Sequence, residues 1–293
     1  MQPVQLGGLR VERVVESDAV IPMQMALPQI GATDLAELRE WFWDDVLAPD
    51  PAQAGFKMSV HSYVLRVDGR NILVDTCVGN DKQRCVPFAH ELQYPWLANL
   101  AAVGLAPEDI HLVLCTHLHG DHVGWNTRLA NGRWVPTFPN ARYLFGRKDV
   151  EQFGQPKEGD WHHEAFADSV RPILDAGLAD IVDGSERVHL EIGDGVWLED
   201  ASGHSPGNYC IHAQRGGARA IFSGDCFHHP VQVVRPDVAF FADEDPPAAS
   251  ATRTRLLRGN ADRDVVFFPG HFTGRTAGRV RARADGRMWF EFL

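Results

Sequence analysis

Residues 116–122 read Thr-His-Leu-His-Gly-Asp-His, so four metal-ligand side chains, His117, His119, Asp121 and His122, fall within six residues. In an extended segment side chains two apart share a face, so His117 and His119 can reach one cation. Asp121 and His122 lie beside and beyond Gly120, where the chain must turn, and can reach a second. Three imidazoles and a carboxylate at this density, directly after the apolar run Leu112–Cys115, outweigh the reading of each as an ordinary surface or core residue. A strand end is a rigid platform for such a loop.

Three later segments repeat the arrangement. Apolar runs at Val196–Leu198, Ala220–Phe222 and Val265–Phe268 are followed by His204, Asp225 and His271, each next to a glycine. Ligands on loops at converging strand ends are how α/β sites are built. His117, His119 and His204 can form a three-nitrogen site, and Asp121, His122 and His271 a second. Asp225, with two carboxylate oxygens, is the natural bridge. Imidazole and carboxylate without thiolate favour two divalent ions, Zn²⁺ first, with Mn²⁺, Fe²⁺ or Co²⁺ suited to the same donors. Two such ions lower the pKa of a shared water from ~15.7 toward ~7 and yield a bridging hydroxide. That chemistry is metal-assisted hydrolysis, with Asp121 and Asp225 as candidate catalytic carboxylates.

The elements that must hold these loops alternate strands with helices. Tyr63–Val67, Asp68-Gly69 and Asn71–Asp75 read as a hairpin, because Asp-Gly between apolar runs favours a tight turn. Strands are expected at Arg10–Val15, Ile110–Cys115, Arg142–Phe145 and Tyr209–His212, besides the runs above. Helices are expected near Asp34–Val46, Trp96–Val103, Arg147–Phe153, His163–Ala176 and Ala248–Asn260, and Val231–Pro247 reads as a long loop. No stretch has the composition of a linker, so residues 1–293 read as a single α/β domain. Segment 18–60 is a candidate lid, through Trp41-Phe42-Trp43, or dimerisation element. Trp125, Phe227 and Phe272 are expected near the site edge, which favours an apolar acyl or aryl substrate.

Composition bounds the partners. The 293 residues carry 28 Lys+Arg against 39 Asp+Glu, a formal charge of −11, and 14 His. That balance argues against nucleic acid as a partner and suits cations. No apolar run reaches the ~18 residues of a membrane span, and no secretory leader is visible. The 5 Cys are scattered without a Cys-x-x-Cys pair. Reduced thiols and a cytoplasmic setting are therefore expected, with a small-molecule substrate and a homodimer as the expected partners.

The motif H-x-H-x-D-H, followed in chain order by a His, a bridging Asp and a final His, resembles the metallo-β-lactamase superfamily. His117, His119, Asp121, His122, His204, Asp225 and His271 match all seven positions, and Asp75 resembles the family's early strand ending in Asp. The resemblance covers residues 60–275 and implies an αββα sandwich, two mixed β-sheets flanked by helices with the metals at one edge. It disfavours the flavodiiron branch, which has Glu where His119 stands. In the lactonase branch a Tyr follows the bridging Asp by three residues; here that position is His228, which the resemblance makes a candidate catalytic hydrogen-bond donor to the developing oxyanion. The run Gly224–Gln232 is more similar to the organophosphate-hydrolase-like branch. The resulting expectation is a dinuclear hydrolase of an ester or lactone. The alternatives are a phosphotriester hydrolase, a mononuclear-iron dioxygenase and a non-catalytic metal-binding sensor.

Overall fold

The computed structural model describes residues 2–183, 187–188 and 192–293. Two sheets, each of seven strands among the described residues, lie face to face. The first runs in the order Val4–Leu6, Leu9–Pro22, Gly55–Val67, Arg70–Val74, Leu112–Leu114, Arg142–Gly146 and Ala179–Val182. Its first half pairs antiparallel and its second half parallel. The second sheet runs Arg187–Val188, Gly195–Asp200, Tyr209–Arg215, Ala218–Gly224, Val265–Pro269, Gly278–Ala282 and Met288–Phe292, with only the central pair of Ala218–Gly224 and Val265–Pro269 parallel. This is the αββα sandwich.

Apolar residues on alternate positions make the layers. Leu65, Ile72, Leu112 and Leu144 of the first sheet meet Leu198, Ile211, Phe222 and Phe268 of the second in one buried cluster between them. The opposite faces are covered by the helix Trp96–Ala102 on one side and the helix Pro246–Asn260 on the other. Burial of large aliphatic and aromatic side chains at ~25 cal/mol per Å² is the main stabilising contribution.

The Asp68-Gly69 hairpin forms with Val67 opposite Arg70, and both turn residues take positive φ (48° and 74°) as a tight two-residue turn requires. The flanking strands are far longer than the sequence reading. Leu9–Pro22 pairs with Gly55–Val67 as far as Pro22 opposite Gly55, past a bulge near Val15 that keeps the long ribbon twisted. The helix expected over Asp34–Val46 stops at Leu38. Asp44 accepts a hydrogen bond from Val46 N at 3.0 Å, a local turn that competes with helix. The stretch His163–Ala176 is not one helix: Trp161–Ala165 and Arg171–Asp175 are separated by a π turn at Phe166–Val170. Pro172 has no N–H for the Asp168 carbonyl, and Thr127 Oγ1 donates to that carbonyl instead, at 2.6 Å. Within the expected loop Val231–Pro247 a short helix, Val231–Val234, packs against the 18–60 segment in a cluster that includes Leu35, Phe56 and Phe240. No helix among the described residues is long and apolar enough to cross a membrane.

Candidate metal centre

Each candidate ligand sits just past a strand of the sandwich. Leu112–Leu114 delivers His117 and His119, and the short turn Gly120–Val123 delivers Asp121 and His122. Gly195–Asp200 leads to His204, Ala218–Gly224 to Asp225, and Val265–Pro269 to His271. Close packing of these loops needs glycine at two points in particular. A Cβ on Gly270 would stand 2.9 Å from Asp225 Oδ1, and one on Gly124 would stand 1.8 Å from Val78 O.

Four of the seven converge on one carboxylate oxygen of a fifth, Asp225. Asp225 Oδ2 lies 3.0 Å from His271 Nε2, 3.3 Å from His204 Nε2, 3.4 Å from His122 Nε2 and 3.8 Å from His117 Nε2. His119 Nδ1 is 3.0 Å from His204 Nε2, and Asp121 Oδ2 is 3.6 Å from His271 Nε2 and 3.7 Å from His122 Nε2. Potential ligand atoms of His117, His119 and His204 lie within 4.8 Å of one another, as do those of Asp121, His122 and His271. His117 Nε2, His122 Nε2 and Asp225 Oδ1 are buried without a hydrogen-bond partner. Orphaned buried atoms are costly unless something else satisfies them. Nitrogen and carboxylate donors aimed at shared points fit divalent cations.

The outward nitrogens are occupied by acceptors. His204 Nδ1 meets Asp243 Oδ1 at 2.9 Å, His122 Nδ1 meets Asp75 Oδ2 at 3.0 Å, and His271 Nδ1 meets Ser59 O at 2.9 Å. His117 Nδ1 meets Thr116 Oγ1 at 3.1 Å, and that hydroxyl donates onward to Asp75. An imidazole that donates outward presents its other nitrogen, with a lone pair, inward. Charge follows the geometry. Burial drives His117 well below the ordinary imidazole range. Burial would raise the Asp225 carboxyl, but His122, His271, His228 and His117 around it hold it well below the usual range.

His228 is completely buried. Its Nε2 lies 3.2 Å from Asp225 Oδ2 and its ring stacks on Phe240 at 3.7 Å. The aromatic residues expected at the edge are elsewhere: Trp125, Phe227 and Phe272 are core, with Trp125 stacked on Trp96. Trp41-Phe42-Trp43, the expected lid residues, border a groove of about 690 Å³ with Trp289, Phe290 and Phe292, and none of the candidate ligands borders it. The cluster's own apolar surroundings went unread in the sequence. Phe153 packs edge-on to His119, Phe88 sits against Trp161, and Phe240 touches Phe241.

Also unread were the supports. Asp149 is fully buried and accepts from Leu118 N, Ser205 Oγ and Gly207 N at 2.6–2.9 Å, tying the His117–His119 loop to the His204 loop. Glu244 Oε1 lies 3.5 Å from His119 Nε2 and is held by Gln152. The apolar strand ends carry the local signal, and these partners come from segments distant in the sequence.

Comparison with known proteins gives the same picture. The profile described as "Metallo-beta-lactamase superfamily" matches residues 55–271. A probable metallo-hydrolase of Mycobacterium bovis is 25% identical over 187 residues, 60% of this chain and 59% of that protein, so the chain spans about three fifths of the curated relative's length. Among solved structures, the hydrolase AbOPH of the beta-lactamase superfamily has a TM-score of 0.80 at 20% identity, covering 99% of this chain and 96% of that one. AidC, a dizinc quorum-quenching lactonase, has a TM-score of 0.73 at 20% identity, covering 100% and 96%. At these identities the two structures speak for the fold.

Proposed function

The chain belongs to the metallo-beta-lactamase superfamily, and from that premise we propose that it is a dinuclear metal-dependent hydrolase of a small, uncharged ester or lactone with an apolar acyl or aryl part. The observation that carries this reading is the convergence of His117, His122, His204 and His271 on one oxygen of Asp225. In it His117, His119 and His204 would hold one cation and Asp121, His122 and His271 the other, with Asp225 as a ligand available to both. Zn²⁺ suits this donor set best. Bound cations would supply a water of lowered pKa as nucleophile and polarise the oxygen of the group attacked.

The rest is work for the chain itself. Asp121 is the most exposed of the seven, with 17% of its side chain in solvent, and is the carboxylate placed to exchange protons with water at the open edge. His228 has no exposed surface, so in this reading it orients Asp225 from behind, and the role of direct donor to substrate passes elsewhere. The Glu244 carboxylate at the edge disfavours an anionic group beside His119. Phe88 and Phe241, 70% and 58% exposed, favour an apolar substrate. The lactonase among the structural neighbours supports including lactones in the class.

The test is metal analysis joined to a substrate panel of p-nitrophenyl esters, γ- and δ-lactones and an aryl dialkyl phosphate. The reading expects about two metals per chain and ester or lactone turnover that vanishes on chelation and returns with Zn²⁺ or Mn²⁺. Turnover that survives complete metal removal, or one iron per chain with oxygen consumption, overturns it. Turnover confined to the phosphate triester would move the substrate class to phosphotriesters.

A further inference from the structure

A loop that carries no ligand leans on the cluster and brings a hydrogen-bond donor with it. The short helix Trp161–Ala165 packs against the turn that carries Asp121 and His122. A Cβ on Gly120 would stand 2.5 Å from the Trp161 ring. His162, the next residue, lies flat against His119 with ring centroids 4.0 Å apart and planes 28° from parallel. The Gly120 backbone N–H donates to His162 Nδ1 at 3.0 Å. A backbone amide can only donate, so Nδ1 carries a lone pair and the ring proton sits on Nε2.

Among the described residues His162 Nε2 has no hydrogen-bond partner in the protein, and it is not one of the buried orphans. The ring is only partly buried, and the Gly120 bond places it beside the residue that precedes Asp121. Its N–H therefore stands at the edge where Asp121 meets solvent. His228 cannot serve there, since both of its ring nitrogens are buried.

We propose that His162 is a substrate-contacting residue whose Nε2–H donates a hydrogen bond to an uncharged oxygen of the substrate, the carbonyl or alkoxy oxygen of an ester or lactone. The proposal rests on the hydrolase reading above. A ring locked as a donor selects acceptors: it favours ester and lactone oxygens over groups that present N–H or ammonium at the same point. The stack on His119 and the bond from Gly120 hold the donor in place before substrate arrives, which limits the ordering cost of binding.

Two substitutions separate contact from support. In His162→Asn the side-chain oxygen can still accept from Gly120, but nothing stands at the Nε2 position. In His162→Gln the amide nitrogen restores a donor there while the Gly120 bond is lost. With the metal-loaded protein and p-nitrophenyl butyrate or γ-decanolactone, His162→Asn is expected to lower kcat/KM about 5- to 10-fold at unchanged metal content, the size of one hydrogen bond to a neutral acceptor. His162→Gln is expected to recover most of the loss. Equal rates in all three proteins overturn the proposal. So does the reverse order, with Gln impaired and Asn intact, since that marks His162 as a prop for the Gly120 turn. Nitrogen-15 NMR of the metal-loaded protein gives a second readout. The histidine signal lost in His162→Asn is expected to carry its proton on Nε2, and a proton on Nδ1 overturns the proposal. If the unsubstituted protein turns over nothing on the panel, the hydrolase reading falls and this proposal with it. If it is active and His162→Asn matches it, only this proposal falls.

Discussion

The side chains of Arg253 and Asp243 are both completely buried, with Nη2 of the guanidinium 3.5 Å from the carboxylate Oδ2. The other oxygen of that carboxylate receives His204 Nδ1 at 2.9 Å. Arg253 also donates to Cys226 O at 2.9 Å, one residue beyond Asp225, and to Pro236 O and Val238 O. One guanidinium on the helix Pro246–Asn260 thus braces the loops of two candidate ligands. Arg's five donors in a fixed fork make this possible, and Lys cannot reproduce it.

Arg253→Lys should therefore weaken metal binding by up to about 10-fold, less than the loss of Asp243, the direct partner of His204, would cost. It should also lower stability, because buried carbonyls and the Asp243 carboxylate lose donors. A chelator competition titration checks the first effect and a thermal melt the second. An unchanged competition midpoint would mean that the brace does not act on the cluster.

Asp75 supports the opposite side. It accepts from Thr116 N at 2.7 Å, from Thr116 Oγ1 at 2.9 Å and from His122 Nδ1 at 3.0 Å, and its φ is 57°. Asn tolerates that backbone region better than most residues. Asp75→Asn should keep the fold while reducing metal affinity by about 10-fold or more. Asp75→Leu should lose both, because a branched apolar side chain neither accepts these bonds nor suits the positive φ. Circular dichroism and metal content of the two variants, measured side by side, check the split.

The ligand residues were legible because each follows a short apolar strand by a few positions, and a continuous apolar run bounded by glycine can be seen without a structure. Of their supports only Asp75 was, through its place at the end of an early strand. Asp149 sits in the helix Arg147–Phe153, whose Lys148 and Glu151 are exposed, and its own burial arises only because Leu118, Ser205 and Gly207 arrive from elsewhere. Arg253 reads as a solvated helix residue for the same reason. The sandwich was legible in its strands near the ligands. The outer strands Gly278–Ala282 and Met288–Phe292 were not, because Val280 is the only large apolar residue of the first and the second is apolar at four of its five positions with no clear period. Trp125, Phe227 and Phe272 lie beside ligands in the sequence, yet their rings turn into the core, because neighbours in a loop need not share a direction.

Gly124 follows the ligand turn, and its N–H bonds to Cys77 O at 2.8 Å. The 1.8 Å approach of a built Cβ to Val78 O is a clash with backbone, which has no side chain to swing away. Gly124→Ala should destabilise the protein by roughly 3 kcal/mol, the upper range for overpacking, and should loosen Asp121 and His122 with it. Urea unfolding checks the first. A stability within about 0.5 kcal/mol of the parent, the ordinary range for a harmless surface change, would refute it.

Lys82 gives a pH-dependent prediction away from the cluster. It is completely buried, with Nζ 2.7 Å from Thr127 Oγ1, 3.5 Å from Asp168 Oδ1 and 3.6 Å from the centre of the Trp134 ring. Burial pulls its pKa down to about 7 from 10.5; Asp168 opposes the shift and Arg84 adds to it. The unfolded chain therefore binds more protons than the folded one between those two values. Stability from this group is fully present above 10.5, declines as pH falls, and is lost once pH has fallen through about 7. One such proton sets a slope of up to ~1.4 kcal/mol per pH unit. Lys82→Met keeps an unbranched chain over Trp134 and removes the titration. Urea unfolding of both proteins at pH 7, 8 and 9 should show the parent gaining stability relative to the variant as pH rises. Parallel curves would mean that Asp168 holds the ammonium charged throughout this range.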